Sequence, residues 1–425
     1  MTRRRHVLLL SGETPDELER RTSELGTELE TGRDGTLAGL EAKLHRADHP
    51  RDHRRVLVAA DTEAAAQALR RLDPQAVRTA QGRADGGGIA FAFPGGGAQH
   101  PGMTGELYAL SPVVRAEVDR CAELLDTRAG VDVRRALDPA TSPGELEQPV
   151  LGLCALFVSE YALAQLWLSL GVRPAALVGH SLGEYTAAVV AGVLRLEDAI
   201  TLVAARAHLF EQLPPAAMLS VGLSEEDVTP LLDSGVSLAA ANAPAQSVVS
   251  GSVEAIESLH ERLAERGVRV RRLRLTTAGH SSLVEGIAGE FAETTRTISA
   301  RRPSIRCISN VTGTWLTDEE ALDPAYWVRH LRATVRFGKG ITTLLTRTRI
   351  VLEVGPGTTL STLVRQAPGA AGSATTISTL GHPLDATPEA AALAAAAGEL
   401  WLAGADVDWD AFGAVGSARQ PHFIF

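Results

Sequence analysis

Cysteine is scarce: Cys121, Cys154 and Cys307 are the three in 425 residues. They lie far apart, with no CxxC pair, no zinc-ligand spacing and no disulfide framework, so the fold must rest on its own core. That usage fits a reducing, cytoplasmic setting. Basic charge is also short. The 41 Lys and Arg against 51 Asp and Glu leave a net charge of −10, the wrong sign for a nucleic-acid groove. No apolar run reads as approaching the roughly 20 residues of a membrane span, and residues 7–10 are too few for the core of a signal peptide. Aromatics make up only 4%. Small residues are abundant instead: 40 glycines and many alanines, in a chain that is 45% hydrophobic and 22% charged. Such a composition suits close helix–sheet packing in a globular chain. At roughly 100–200 residues per domain, the length predicts two or three compact units.

The first 88 residues alternate strand patterns (7–10, 55–60) with helix patterns (14–30, 36–46, 62–72). Thr14 reads as an N-cap with Glu17 three residues on, a capping box. Gly86, Gly87 and Gly88 form a joint. A second unit opens with a strand at 89–93. It continues through helices at 113–125 and 148–170, a short strand at 175–178, and helices at 184–191 and 196–213. Strands alternating with long helices predict a mainly parallel sheet covered on both faces. Between 216 and 275 the rhythm changes to β-α-β-β-α-β, ending in a strand at 268–275; this is the ferredoxin-like order, and the unit reads as an insert. The larger unit then resumes with helices at 283–296, 327–331 and 390–402 and strands at 305–308 and 350–353. Residues 404–425 read as mixed loop.

Gly179-His-Ser-Leu-Gly183 fits G-x-S-x-G. Its physics is a sharp strand-to-helix turn that exposes the Ser181 hydroxyl and aims the Leu182 amide, at a helix N-terminus, where an oxyanion would form. Such a serine needs a base, and twelve histidines are available. His180 adjoins the serine, but its side chain should point away from the hydroxyl, as a site-lining or structural group. His280 lies just past a strand and before a helix. Strand ends of a parallel sheet gather catalytic groups; a histidine satisfied by its own neighbours is the equal alternative. Arg206 sits in a strongly apolar helix pattern. It is either half of a structural salt bridge or a clamp on a substrate carboxylate. The loop 93–99, Phe-Pro-Gly-Gly-Gly-Ala-Gln, supplies backbone amides. It lacks the Lys and Ser/Thr of a P-loop and the spacing of G-x-G-x-x-G, so an oxyanion donor fits it better. Six arginines between Arg262 and Arg274 read as a solvated face or, alternatively, a docking patch for an acidic partner.

At these residues the chain resembles an acyltransferase of a modular polyketide synthase, related to malonyl-CoA:acyl carrier protein transacylases. The resemblance spans nearly the whole chain. It rests on the 93–99 loop, Gln148-Pro-Val-Leu151, Gly179-His-Ser-Leu-Gly-Glu-Tyr185, Arg206, Ala241-Asn-Ala-Pro244, Gly279-His-Ser281, Ser309-Asn-Val-Thr-Gly313, Asp323-Pro-Ala-Tyr-Trp-Val-Arg329 and Glu353-Val-Gly-Pro-Gly357. It implies an α/β fold: a parallel-sheet, α/β-hydrolase-like catalytic domain at 89–214 and 281–394, an inserted ferredoxin-like subdomain at 215–280, a ketosynthase–acyltransferase-type linker domain at 1–88, and a post-acyltransferase tail at 395–425. It implies Ser181 as nucleophile, His280 as base, Arg206 on the free carboxylate of a malonyl-type group, the Leu182 and Gly96 amides as oxyanion hole, and Gln148 and His180 lining the pocket. No cofactor is implied beyond the acyl-CoA substrate and the phosphopantetheine of an acyl carrier protein; ketosynthase or other synthase modules are further partners. Where family members selective for malonyl tend to carry His-Ala-Phe-His, and those for methylmalonyl Tyr-Ala-Ser-His, this chain has Thr277-Ala-Gly279-His280. The missing side chain at Gly279 implies room for a longer α-substituent such as ethyl, while Leu182 is more typical of malonyl enzymes.

Two other functions share some of these features. An esterase or thioesterase of the α/β-hydrolase type would show Ser…Asp/Glu…His order with an acid strand. A degenerate, non-catalytic docking module would form no acyl-enzyme.

Overall fold

The computed structural model describes residues 4–32, 36–47, 51–82, 88–275, 278–370, 374–385 and 387–416. Thr277, Gly86 and Gly87 of the glycine joint, and 417–425 of the tail lie outside the described residues.

Strands β1 (His6–Gly12), β2 (His53–Ala59) and β3 (Val77–Gln81) make an antiparallel sheet in the order β1-β2-β3. Alternate side chains of β1 go to opposite faces. Leu8 and Leu10 pack under this unit's own helices with Leu18, Leu25 and Leu69. Val7 and Leu9 join Val56 in the main core of the molecule. The helix Pro15–Thr31 begins at Thr14, whose hydroxyl accepts the Glu17 N–H at 3.2 Å. The Glu17 carboxylate caps the Glu13 N–H and not that of Thr14, so half of the expected capping box forms.

β4 (Ile89–Phe93) and β5 (Pro174–Gly179) open the central sheet. β6 (Ala216–Val221), β7 (Val236–Ala243), β8 (Gln246–Ser252) and β9 (Val270–Arg272) form a separate antiparallel sheet in the order β7-β8-β6-β9. Leu219, Val221 and Val249 pack there against Ile256, Leu259 and Leu263 of the helix Val253–Glu265. β10 (Arg306–Ile308), β11 (Ile350–Glu353) and β12 (Thr375–Ser378) complete the central sheet, β10-β5-β4-β11-β12, in which every neighbouring pair is parallel. Both faces are covered, as parallel sheets require. Phe91, Phe93, Leu177 and Leu352 enter one core, and Ala90, Ala92, Ala176, Val178 and Val351 the other.

The structure departs from the sequence expectations in several places. The helix Pro149–Ser169 is 21 residues long and apolar enough for a membrane span by length and composition, yet 94% of its most apolar stretch is buried in the core. Ser159, Glu160 and Gln165 interrupt the run in sequence, but helices on several sides cover it. The strand expected at 268–275 pairs only over Val270–Arg272. The short strands β3 and β12 had no clear pattern. The tail contains a helix, Trp409–Ala414. The helix Glu389–Leu402 crosses residue 395 and packs on both β2 and β12.

Candidate active site

The carboxyl ends of parallel strands are where such sheets hold ligands, and three of them meet here. β5 ends at Gly179 and turns at once into the helix Gly183–Val190. A Cβ on Gly179 would sit 2.1 Å from the Glu184 nitrogen, and one on Gly183 would sit 2.2 Å from the Phe93 carbonyl oxygen. No larger residue fits either position, which is why the flanking glycines of the motif are needed. Between them Ser181 holds φ at 51°, in the left-handed region. The turn's amides can be accounted for one by one. His180 N–H goes to Phe93 O, Ser181 N–H to Asn310 Oδ1, Gly183 N–H to His180 O, Glu184 N–H to Ser181 O and Tyr185 N–H to Leu182 O. Among the described residues only the Leu182 N–H is left open, at the place the motif predicts.

Ser181 Oγ lies 2.7 Å from His280 Nε2. His280 Nδ1 lies 2.8 Å from the Ala333 carbonyl oxygen. A carbonyl can only accept, so Nδ1 carries the proton and Nε2 is free to take one from the serine. Burial pushes the His280 pKa well below the usual histidine value, and the nearby positive charge of Arg206 pushes the same way. His280 is therefore a neutral imidazole, ready to accept. It does not sit at the end of a parallel strand as the sequence suggested. It follows the antiparallel β9 at a distance, in a left-handed turn at φ 60°, with its N–H on Leu331 O at 3.1 Å. The C-terminal end of the helix Ala325–Arg332 thus supplies both of its anchors.

Arg206, in the helix Leu196–Glu211, is 3% exposed. Its Nη2 donates to Ser181 Oγ at 3.1 Å. Its guanidinium lies against the rings of Tyr185 and Phe210, 5.6 and 5.1 Å from their centroids. Nε and Nη1 are buried with no hydrogen-bond partner. No carboxylate pairs with Arg206 among the described residues, so the salt-bridge alternative is not what the fold builds. Burial lowers the guanidinium pKa, as expected of a cation held without its anion.

The other sequence candidates are placed less uniformly. Gly96 packs on Leu153 and Leu275, and its N–H has no partner among the described residues. Gly279 lies beside the site: a Cβ there would be 3.5 Å from Phe210 and 3.8 Å from Arg206 Nη2. His180 turns away from the serine, with Nε2 on Asn242 Oδ1 at 2.8 Å. Gln148 is exposed at the start of the Pro149–Ser169 helix, and its side chain makes no hydrogen bond to Ser181, His280 or Arg206.

Several residues around the pair had no role in the sequence reading. Asn310 follows β10 and grips the serine turn from the side. Its backbone N–H donates to Glu184 Oε2 at 2.8 Å. The Tyr326 hydroxyl bonds the other Glu184 oxygen and Ser309 Oγ. His330 lies edge-on to His280 with ring centroids 5.8 Å apart. The available signal was position: Asn310 stands just past the strand adjacent to β5.

A serine elbow on a parallel sheet, facing a carbonyl-held histidine and an unpaired buried arginine, defines an α/β enzyme of the serine-elbow class. Comparison with known proteins narrows it. The acyl transferase domain model matches residues 90–407. A phenolphthiocerol/phthiocerol polyketide synthase of Mycobacterium tuberculosis is 36% identical over 418 residues, covering 95% of this chain; the chain spans only 28% of that relative. The acyl transferase domain of SpnD, solved in complex with 2-(pent-4-yn-1-yl)malonyl, superposes with a TM-score of 0.88 at 38% identity, covering 98% of each chain. The malonyl-CoA:acyl carrier protein transacylase of Xanthomonas oryzae superposes at 0.63 with 31% identity, over 70% of this chain and 96% of that one. The chain belongs to the acyl transferase domain family, as an acyltransferase of the modular polyketide synthase type.

Proposed function

We propose that this chain moves a malonyl-type acyl group from coenzyme A to the phosphopantetheine thiol of an acyl carrier protein, through an acyl-serine at Ser181, in polyketide assembly. One observation carries the reading: a buried arginine beside the Ser–His pair with Nε and Nη1 unpartnered. The free carboxylate of a malonyl group would give one edge of this guanidinium its missing acceptor, and an acyl group without one leaves the buried donors stranded.

In this mechanism Ser181 Oγ attacks the thioester carbonyl as His280 Nε2 takes its proton. The Leu182 and Gly96 amides hold the oxyanion. Collapse breaks the C–S bond, and His280 returns the proton to the departing thiolate. In the second half the carrier thiol gives its proton to His280 and attacks the acyl-serine, and Ser181 recovers its hydrogen from His280. The Ala333 carbonyl orients the base where a hydrolase would use a carboxylate, which favours acyl transfer over the esterase alternative. Gln148 and His180 are assigned to the rim of the acyl pocket rather than to the reacting atoms.

The missing side chain at Gly279 favours an α-alkylated malonyl unit such as ethylmalonyl, because a side chain there would stand against Phe210 and Arg206 beside the acyl group. The related SpnD domain, solved with an α-substituted malonyl group, supports the same choice. The 216–275 unit is read as ferredoxin-like; its sheet order, second-third-first-fourth in chain sequence, fits that class. Domain limits of 1–88, 89–214 with 281–394, 215–280 and 395–425 complete the reading, the last of them falling inside the helix Glu389–Leu402.

The carrier protein is assigned to the arginine-rich end of this unit. Arg266, Arg269, Arg271 and Arg274 are exposed with no carboxylate partner among the described residues, whereas Arg262 and Arg272 pair with Asp233 and Glu257. The other cluster of arginines, Arg51 to Arg55, is already engaged. Arg51 and Arg55 pair with Glu17 and Glu19, and buried Arg54 donates to Trp401 O.

Equimolar malonyl-, methylmalonyl-, ethylmalonyl- and acetyl-CoA offered to the wild type and to Arg206→Ala test the reading by intact mass. The wild type should take a carboxylated group and the variant should lose that preference by about 10- to 100-fold, the worth of one to two charged hydrogen bonds. An unchanged preference would make Arg206 structural.

A further inference from the structure

The left-handed backbone at Ser181 raises a question that the pairing with His280 does not answer: what keeps it there. A serine at φ 51° is sterically disfavoured and persists only when its surroundings over-determine it. The turn leaves the Ser181 N–H pointing away from the following helix, and a buried amide without a partner would itself be costly. Asn310, 2% exposed, answers both needs. Its Oδ1 accepts the Ser181 N–H at 2.6 Å and its Nδ2 donates to the Gly179 carbonyl at 2.7 Å. The two contacts demand opposite ends of the amide, so its orientation is fixed by its neighbours. One side chain thus bridges the residue before the turn's first bend and the residue at its apex.

The clamp is itself held rigidly. The Asn310 N–H is taken by Glu184 Oε2 at 2.8 Å, three residues past the serine on the same turn. The Glu184 carboxylate is bonded by Tyr326, which also bonds Ser309. Glu184 and Asn310 are both buried. The loop after β10 therefore grips the strand end, the apex and the first turn of the helix together.

We infer that Asn310 is a positioning residue for the nucleophile: it holds Ser181 in its left-handed conformation, and so sets both the Oγ–His280 contact and the open Leu182 amide. By occupying the Ser181 N–H it also decides which amide of the turn is left for an oxyanion. Without the clamp the Ser181 N–H is orphaned. The turn can then relax toward negative φ, carrying Oγ off Nε2 and the Leu182 N–H off the reacting carbonyl. Asn310 touches neither substrate nor reacting atoms, so its loss should slow every reaction of Ser181 by the same factor. This inference rests on Ser181 being the nucleophile of the proposed function.

Two probes with nothing in common but the serine test it. Malonyl-CoA reports acyl-enzyme formation, and phenylmethylsulfonyl fluoride reports Ser181 reactivity with no carboxylate and no coenzyme. In Asn310→Ala the maximal rates of both should fall about 100-fold, the effect of a misplacement near 1 Å. The half-saturating malonyl-CoA concentration should stay within about 2-fold. Asn310→Asp keeps the acceptor for Ser181 but sets an oxygen against the Gly179 carbonyl unless the new acid is protonated. Its rate relative to wild type should therefore climb as pH is lowered, which a purely structural loss would not do. If Asn310→Ala does not fold, the pH ratio of Asn310→Asp decides alone. Labelling of Asn310→Ala by both probes at the wild-type rate, or a loss confined to malonyl-CoA, or a flat pH ratio, overturns the inference. Labelling of Ser181→Ala would instead remove the nucleophile reading beneath it.

Discussion

Ser181 and His280 meet at 2.7 Å, and both hold left-handed backbone, at φ 51° and 60°. Neither is glycine, so each conformation needs support from outside its own turn. Asn310 supplies it for Ser181, and the Leu331 and Ala333 carbonyls supply it for His280. The pair is thus assembled from four separate stretches of chain, brought together near the carboxyl ends of β5 and β10.

Loss of the base should leave binding but not chemistry. His280→Ala is expected to slow acyl-enzyme formation by about 10²–10⁴-fold, the usual contribution of a positioned proton acceptor. The half-saturating acyl-CoA concentration should change little. Single-turnover mass spectrometry separates the two quantities.

The acid limb of the reaction should lie below the ordinary histidine range. Burial and the Arg206 charge both lower the His280 pKa well under 6.5, so the base stays neutral as pH falls through that value. Arg206→Gln removes one of these causes and should move the limb toward neutrality. A pH profile of acyl-enzyme formation in both proteins checks the direction; a limb that moves to lower pH would contradict it. For stability the sign is also fixed: below about 6.5 the unfolded chain binds a proton that the folded site refuses, so this group's contribution is lost as pH falls.

Filling the space at Gly279 should narrow the acyl pocket. Gly279→Ser is expected to shift the ratio of ethylmalonyl- to malonyl-CoA use toward malonyl by about 10-fold, the scale of one methylene in a tight pocket. Competition assays read that ratio directly.

Charge reversal at Arg269 and Arg271 should separate the two half-reactions. Arg269→Glu with Arg271→Glu is expected to leave self-acylation from acyl-CoA within about 2-fold while slowing transfer to an acidic holo carrier protein about 10-fold or more. The salt sensitivity of that transfer should fall with it. An equal loss in both half-reactions would place the patch on coenzyme A instead.

A pH effect is also expected far from the site. Glu389 accepts the backbone N–H of Leu107 and of Thr104, and burial raises its pKa to about 7, with Glu106 adding to the rise. Between about pH 4.5 and about 7 the folded chain keeps a proton that the unfolded chain has lost, so stability falls as pH rises across that window. Glu389→Gln should flatten this slope, measured as the urea midpoint against pH.

The serine elbow was legible in the sequence because its logic is local: two glycines four residues apart, each required by a backbone within van der Waals reach. Arg206 was legible as a buried cation because the stretch around it, residues 202–209, is strongly apolar. What it pairs with was not, since the absence of a carboxylate near it is a fact about the whole fold. The Ala333 carbonyl stands 53 residues from His280, and Asn310 stands 129 from Ser181, so no spacing rule reaches them. The central sheet was read correctly as parallel from its rhythm. β12 was missed because its pattern is short and polar, and β3 because its alternation is weak. The Pro149–Ser169 helix was misjudged for another reason: a few polar residues hide an apolar run when hydropathy is read residue by residue, yet a helix at the centre of the core needs no polar face.

The most direct test is intact-mass spectrometry with peptide mapping after mixing the protein with malonyl-type acyl-CoAs. One carboxylated acyl group per chain is expected, on Ser181 and absent from Ser181→Ala. An acyl group on any other residue, or one persisting on Ser181→Ala, would contradict it.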